Sequence, residues 1–181
     1  MKNVYTEYKI PTQSGGLLKI DDGQTVRLRI VSEPAIYQSE YQGKLSTRYA
    51  WVVWNLDEQA AQILQQGVIF YRKIANLAQD EDWGDPTTYG IKVKREGIGT
   101  DTLYHPTPAT AKNGLTTEQK EEIDDIDLLA TLERLPSTSH VAWLADVVGQ
   151  SENAKNNSIA GTEEAPADED EQASLEDVPF S

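Results

Sequence analysis

The amino-acid sequence predicts a mainly β fold, followed by a short helical segment and a disordered acidic tail. Three observations lead to this prediction. Segments rich in Val, Ile, Thr, Tyr and Trp, in which apolar and polar residues alternate, recur through residues 1–110 and are typical of strands. Apolar residues at helical spacing follow in residues 111–150. Residues 151–181 are mostly Asn, Ser, Ala, Glu and Asp, which offer little apolar surface for a core.

Residues 1–110 are predicted to contain five strands and one helix. The first strand is long and can bend at the turn signal Asp21-Asp22-Gly23, and residues 60–66 either extend the third strand or form a short strand of their own. The predicted strands are residues 15–32, 35–41, 45–55, 87–96 and 101–107, with a helix at residues 68–79 between strands three and four. This element order is that of the five-stranded OB-fold barrel, although other small barrels remain alternatives. The exposed face of strands two and three of an OB fold commonly binds oligonucleotides or oligosaccharides.

Residues 111–150 are predicted to form a helical extension. Thr116 and Gln119 have the spacing of a capping box, which marks the start of a helix. A second short helix is expected from Ser139 to Gly149. The two apolar stripes are Ile123, Ile126, Leu129 and Leu132 in the first helix, and Val141, Leu144, Val147 and Val148 in the second. We expect both stripes to pack against the β-rich body.

The acidic tail, residues 151–181, is predicted to be disordered from Ser151 to Ser174, because it cannot offset the entropy of ordering its backbone. Its last residues differ, since they place large apolar side chains next to acids. We interpret them as a docking peptide for a protein partner. The peptide consists of Leu175, Glu176, Asp177, Val178, Pro179 and Phe180.

The formal net charge of −14 is concentrated in the C-terminal part of the chain. Residues 1–110 carry 12 Lys and Arg against 13 Asp and Glu, whereas residues 151–181 carry 1 against 9. Twelve of the fourteen aromatic residues also lie in residues 1–110. The sequence therefore predicts a nearly neutral, aromatic-rich body joined to an acidic tail.

Composition and motif spacing exclude several classes of protein. The absence of cysteine excludes disulfide scaffolds and thiolate zinc sites, and neither histidine has neighbours that indicate a metal site or a catalytic triad. The acidic loop Asp80–Pro86 lacks the pattern of a calcium loop, and we expect its Trp83 to anchor it to the body. No apolar run reaches the roughly 18 residues needed to cross a bilayer, and the start lacks a signal-peptide core. We expect a cytoplasmic protein that is not an enzyme and has no cofactor or metal.

Basic residues alternate with apolar residues on two predicted strands, which places the basic side chains outside the barrel. On the third strand we place Arg48 and Trp54 outward and Tyr49 and Trp51 inward, because Arg is rarely buried without a partner; a bulge would reverse this choice. Exposed rings can stack on unpaired bases while cations bind phosphates. The predicted phosphate contacts are Arg27, Arg29, Lys44, Arg48, Lys92 and Lys94, with Arg72 and Lys73 as weaker candidates, and the predicted stacking rings are Trp54, Tyr37 and Tyr41.

Two segments resemble a known family. The stretch from Asp82 to Arg95, DWGDPTTYGIKVKR, with Gly97, Gly99 and Thr102-Leu103-Tyr104, resembles the single-stranded-DNA-binding proteins of tailed bacteriophages. Glu176–Phe180 is similar to the acidic tip of bacterial single-stranded-DNA-binding proteins, although Ser181 moves the terminal carboxylate one residue further out. The resemblance implies an OB-fold DNA-binding core and a tail that recruits replication, recombination and repair enzymes.

Two hypotheses for function follow. In the first, the chain coats single-stranded DNA, and its acidic tail competes with DNA for the basic groove because it mimics a tethered polyanion. In the second, the chain is an acidic adaptor or DNA mimic that occupies the basic groove of a host or phage enzyme, as the net charge favours. A nuclease is a third, weaker alternative, since the acids of the loop at residues 80–86 lack a second cluster from a strand.

Overall fold

The computed structural model describes residues 14–109 and 114–159. The strands are β1 Gly16–Leu17, β2 Thr25–Ile30, β3 Ala35–Tyr41, β4 Lys44–Asn55, β5 Ala60–Gly67, β6 Gly90–Glu96, β7 Leu103–Ala109 and β8 Thr138–Trp143. The helices are α1 Val68–Ala78, α2 Thr117–Asp124, α3 Leu128–Glu133 and α4 Leu144–Ile159, with a single 3₁₀ turn at Gly99–Asp101. The docking peptide Leu175–Phe180 and most of the acidic tail lie outside the described residues. The described residues up to Val148 belong to one compact unit, and a second unit starts at Gly149.

The strands form one mixed sheet that is not closed, in the order β1-β5-β4-β2-β6-β7, with β3 between β4 and β8. Among the strand pairs of the described residues, only β1–β5 is parallel. The long strand β4 connects the parts of the sheet. Its first residues pair with β3, its last residues pair with β2, and residues 48–55 pair with β5 along its other edge. The fold is therefore β-rich and centred on β4.

The described residues form eight strands in an open sheet, where the sequence predicted five strands in a barrel. Both edges that closure would join are blocked in part. The outer edge of β5 pairs with β1 at Gln62 and Ile63. In β6, the backbone N–H and C=O of Arg95 form hydrogen bonds on the side of β2, with Gln24 and Gly23. Because backbone groups alternate in direction along a strand, those of Lys94 and Lys92 point to the other side and pair with His105 and Thr107 of β7. The backbone of Pro106 and Pro108 then faces the outer side of β7, where two N–H donors are missing.

Several predicted elements differ from the observed ones. The first predicted strand is divided into β1 and β2, and residues 60–67 form a strand of their own. The second predicted helix, Ser139 to Gly149, is wrong over its first five residues, which belong to β8 and pair with β3, and α4 starts only at Leu144. That helix continues to Ile159, so the prediction of disorder from Ser151 is wrong over its first nine residues. Residues 111–150 are thus not only helical, and they contribute a strand to the sheet.

Both faces of the sheet are covered. On one face Trp51 and Val53 pack with Phe70 and Ile74 of α1. On the other face, strand residues pack against Leu128 and Leu132 of α3; they are Ala35, Tyr37, Ala50, Val52 and Ile63. The predicted packing of the first apolar stripe on the body is confirmed, and so is the capping box of Thr116 and Gln119. The predicted packing of the second stripe holds only in part, because Val141 packs on this core whereas Val147 and Val148 are exposed.

Candidate nucleic-acid interface

Four of the predicted basic residues share the outer face of β2 and β6. Arg27 lies directly opposite Lys92 in the antiparallel register, and Arg29 and Lys94 are two residues away on their own strands. The alternate residues of both strands are buried in the core, namely Val26, Leu28, Ile30, Ile91 and Val93. The predicted outward facing of the four cations is confirmed. We call these four residues the cation face.

Nearby carboxylates neutralise part of the cation face. The Arg27 Nε and Nη2 atoms lie 2.8 and 2.7 Å from Asp57 Oδ1, and the Arg27 backbone N–H donates to Asp57 Oδ2. Partial burial raises the pKa of Asp57, but these contacts with Arg27 outweigh it and hold the pKa below its usual value. A hydrogen bond from Lys94 likewise lowers the pKa of Glu96. Among the residues that the structure describes, Lys92 has no ion-pair partner.

Two cavities adjoin on this side of the sheet. One, of about 360 Å³, is lined by Arg27 and Lys92 together with residues of β6 and β7. The other, of about 300 Å³, is lined by Arg29, Trp54 and the start of α2. Leu56 and Gly90 line both, so the two cavities are neighbours. Among the described residues, every charged side chain that lines them is a cation, so the pair can attract an anion.

Two predicted stacking rings are buried. Trp54 and Tyr37 face away from Trp51, as predicted, but they are only 2% and 3% exposed. The prediction that they are exposed is wrong: α2 contacts β4, the strand of Trp54, and α3 covers Tyr37. Burial raises the pKa of the Tyr37 phenol, and the charge and hydrogen bond of Arg48 offset this only in part.

The third predicted ring, Tyr41, is 73% exposed at the tip of the β3–β4 hairpin, directly opposite Lys44. Lys44 is also exposed. The predicted exposure of this pair is confirmed. The hairpin tip is the place on the described chain where a predicted ring and a predicted cation are both open to solvent.

A separate cleft of about 480 Å³ lies between the β3–β4 hairpin, the start of α1 and the start of β7. Arg48, which is half-buried, lines it together with exposed Ile69 and Leu103. The sequence analysis did not single out these two apolar residues. The buried pair is Phe70 and Ile74, whose spacing of four residues was the available signal.

The two weaker candidates on α1 differ from each other. Arg72 is exposed, whereas the Lys73 Nζ donates a 2.7 Å hydrogen bond to the backbone carbonyl of Tyr104. Lys73 therefore ties α1 to β7. The rings near them stack on one another, with Tyr49 and Tyr71 centroids 4.3 Å apart, so they are already partnered inside the protein.

The acidic loop at residues 80–86 has a structural role in this fold. Asp80 and Asp85 accept hydrogen bonds from the backbone N–H groups of Asp82 and Thr87 within the loop. Trp83 packs on Tyr89 with a centroid distance of 5.3 Å, so its predicted anchoring role is confirmed. In the described part of the chain, no group of three His, Asp or Glu side chains is placed to hold a metal ion. None of the described helices has both the length and the apolar character needed to span a membrane.

Comparison with known proteins found no match, either to protein-family models, to curated proteins or to solved structures. The resemblance to phage single-stranded-DNA-binding proteins therefore depends on the residues quoted for it. Its implications for this chain are proposals.

Proposed function

We propose that this chain binds single-stranded DNA, with phosphates held on the cation face. The observation that carries this proposal is the convergence of Arg27, Arg29 and Lys92 on two adjoining cavities, where they are the charged side chains that the described part of the chain contributes to the lining. Phosphate contacts supply most of the affinity of proteins that bind nucleic acid with little sequence preference. Coating of DNA in replication, recombination and repair is the role that fits such binding.

The strand connectivity supports an OB-like core. If β2 and β3 are taken as one bent strand, then β4 and β5 follow, α1 comes next, and β6 and β7 complete the order. The bent strand pairs with both β4 and β6. This is the three-strand, helix, two-strand arrangement expected for that fold, with the barrel left open between β5 and β7.

Base stacking contributes less to this proposal than phosphate binding does. Of the three predicted rings, only Tyr41 offers an exposed face, and Lys44 opposite it can contact a neighbouring phosphate. We therefore propose a binding mode that depends mainly on charge, with slight preference among bases. Partner recruitment through Leu175–Phe180 belongs to the same proposal and rests on the sequence of that peptide.

A titration of labelled oligothymidine, followed by fluorescence anisotropy over a salt series, tests the proposal. Each neutralised phosphate on a single strand contributes about −0.7 to the slope of log affinity against log salt. With three or four cations engaged, we expect a slope of about −2 to −3. Anisotropy is the better readout, because Trp51 and Trp54 are buried and stacking on them would not report binding. No change in anisotropy at low salt would refute the proposed function.

Removal of the acidic tail after Ile159 should tighten DNA binding severalfold at low salt and much less at high salt. Eight carboxylates lie beyond Ile159, and a tethered polyanion competes at high effective concentration. The cut is placed there because α4 extends to that residue. The matched control is a full-length chain with the eight acids changed to their amides, which should behave like the truncated chain. Equal affinity of all three proteins in both salts would exclude competition by the tail.

The acidic adaptor or DNA mimic is the second candidate, and one structural observation favours it. Exposed carboxylates crowd α2 and the residue after it: Glu118, Glu121, Glu122, Asp124 and Asp125. If this surface is the functional one, the oligothymidine titration will give no signal, whereas an immobilised basic polypeptide will retain the chain.

A further inference from the structure

A histidine lies beside the cation face on the next strand of the sheet. In the antiparallel register of β6 and β7, His105 is directly opposite Lys94 and diagonal to Lys92. Residues that are directly opposite lie on the same face of the sheet, with Cβ atoms about 4.5–5.5 Å apart. His105 is therefore a neighbour of the cation face, although it is not one of the four residues that define it.

The carboxylate of Glu96 joins His105 to Lys94. Its Oε1 atom pairs with the Lys94 Nζ, and its Oε2 atom lies 3.5 Å from the His105 Nε2. That ring nitrogen is buried and has no hydrogen-bond partner, whereas the His105 side chain as a whole is 41% exposed. We call Lys94, Glu96 and His105 the β6–β7 cluster. With a neutral ring, the cluster has one cation and one carboxylate, and a proton added to the ring makes its net charge positive.

Other charged side chains near β7 face away from the ring. On β6, Arg95 lies on the opposite face of the strand, where its Nη1 donates to a backbone carbonyl. The helix α1 packs against that opposite face of β7, and its Lys73 donates to the backbone carbonyl of Tyr104. Among the described residues, Lys94 and Glu96 are thus the charged groups that face His105. The hydrogen bond and the charge of Lys94 lower the pKa of Glu96, so its carboxylate stays ionised where a histidine titrates.

We propose that protonated His105 is a further phosphate-binding cation beside the cation face, so that this chain binds single-stranded DNA more tightly as the pH falls. The inference rests on the proposed function and adds a regulation to it. Histidine changes its charge between about pH 5 and 8. Once protonated, His105 can hold Glu96 as an ion pair, which leaves Lys94 available to a phosphate. Because the protonated form binds phosphate better, the added affinity is present at the acid end of this range and is lost as the pH rises through it.

The pH dependence of oligothymidine binding by the full chain provides the test, measured by fluorescence anisotropy at constant ionic strength. The range is about pH 6 to 7.5, where ordinary Asp and Glu carboxylates stay ionised. We expect the affinity at low salt to be about threefold to fivefold higher at the acid end, and the salt slope there to be steeper by up to about 0.7, the value for one more phosphate contact. The chain has two histidines, so the other one, His140, supplies the matched control. His140 is exposed on β8 in the left-handed backbone region (φ 54°), which asparagine also adopts.

Three variants separate the charge of His105 from any structural role of its side chain. His105→Gln should lose the pH dependence and bind throughout as the wild type does at the alkaline end. His105→Lys carries a fixed charge, so it should bind at the alkaline end at least as tightly as the wild type does at the acid end. His140→Asn should keep the full pH dependence. If oligothymidine binds but His105→Gln keeps the pH dependence of the wild type, or the wild type shows none, this inference is wrong and the proposed function is unaffected. If oligothymidine does not bind at any pH, the proposed function is refuted and this inference with it.

Discussion

Replacing Leu132 with alanine should lower the free energy of unfolding by about 2–5 kcal/mol. Leu132 is 0% exposed and lies with Leu128 between α3 and the sheet, where it belongs to the same core cluster as Val52 and Ile63. Truncation to alanine removes the contacts of the side chain and leaves a cavity that α3 can close only in part. Urea unfolding followed by circular dichroism measures the effect as a lower midpoint at unchanged slope.

Leu103→Ala is the matched control for this prediction. It removes the same atoms from a side chain that is 47% exposed, so we expect a change within about 0.5 kcal/mol. Equal effects of the two substitutions would mean that α3 does not pack on the sheet in solution. The practical consequence concerns chain length. A fragment that ends at residue 110 would lack α3 and β8 and expose Tyr37 and Val52, so binding experiments need the chain through at least Trp143.

Replacing Lys92 with glutamate should weaken binding of oligothymidine by about tenfold or more at low salt. Lys92 lines the cavity next to Arg27, and it has no ion-pair partner within the described residues, so its charge is available to a phosphate. Loss of one phosphate contact should also make the salt slope shallower by up to about one unit. The fluorescence-anisotropy salt series measures both quantities.

Lys19→Glu is the control, because it changes the net charge equally at an exposed residue that lines a different cavity. Its effect should be a small fraction of that of Lys92→Glu and should vanish as salt is raised. If both variants lose affinity equally, the effect comes from net charge alone, and the cation face is not the binding surface.

Local signals allowed parts of the fold to be predicted from the sequence. The bounds of β3, the capping box of Thr116 and Gln119 and the helix at residues 68–78 all match the prediction to within about a residue, because turns, caps and alternation are encoded by near neighbours. The outward facing of Arg27, Arg29, Lys92 and Lys94 follows from the same alternation.

The predictions that were wrong concern features that depend on contacts between residues far apart in the chain. Trp54 faces the predicted side of β4, but it is buried on a strand that α2 contacts, about sixty positions later in the chain. Tyr37 is covered in the same way by α3. Thr138–Trp143 becomes a strand because β3 offers it an edge, which the apolar spacing of Val141 and Leu144 did not reveal. For the candidate site, the sequence therefore identified the face of the strand on which each side chain lies, but not whether that side chain is exposed to solvent.

The two prolines of β7 also bear on how copies of this chain meet one another. Among the described strands, β7 lies at one end of the sheet, and an edge strand is a template on which a second molecule can add a strand, which is a common start of aggregation. On the outer side of β7, Tyr104 retains an N–H, whereas Pro106 and Pro108 present only carbonyls. Two such edges brought together place acceptor against acceptor. We therefore expect that, even at high local concentration, the sheet of one molecule does not extend into that of the next through β7.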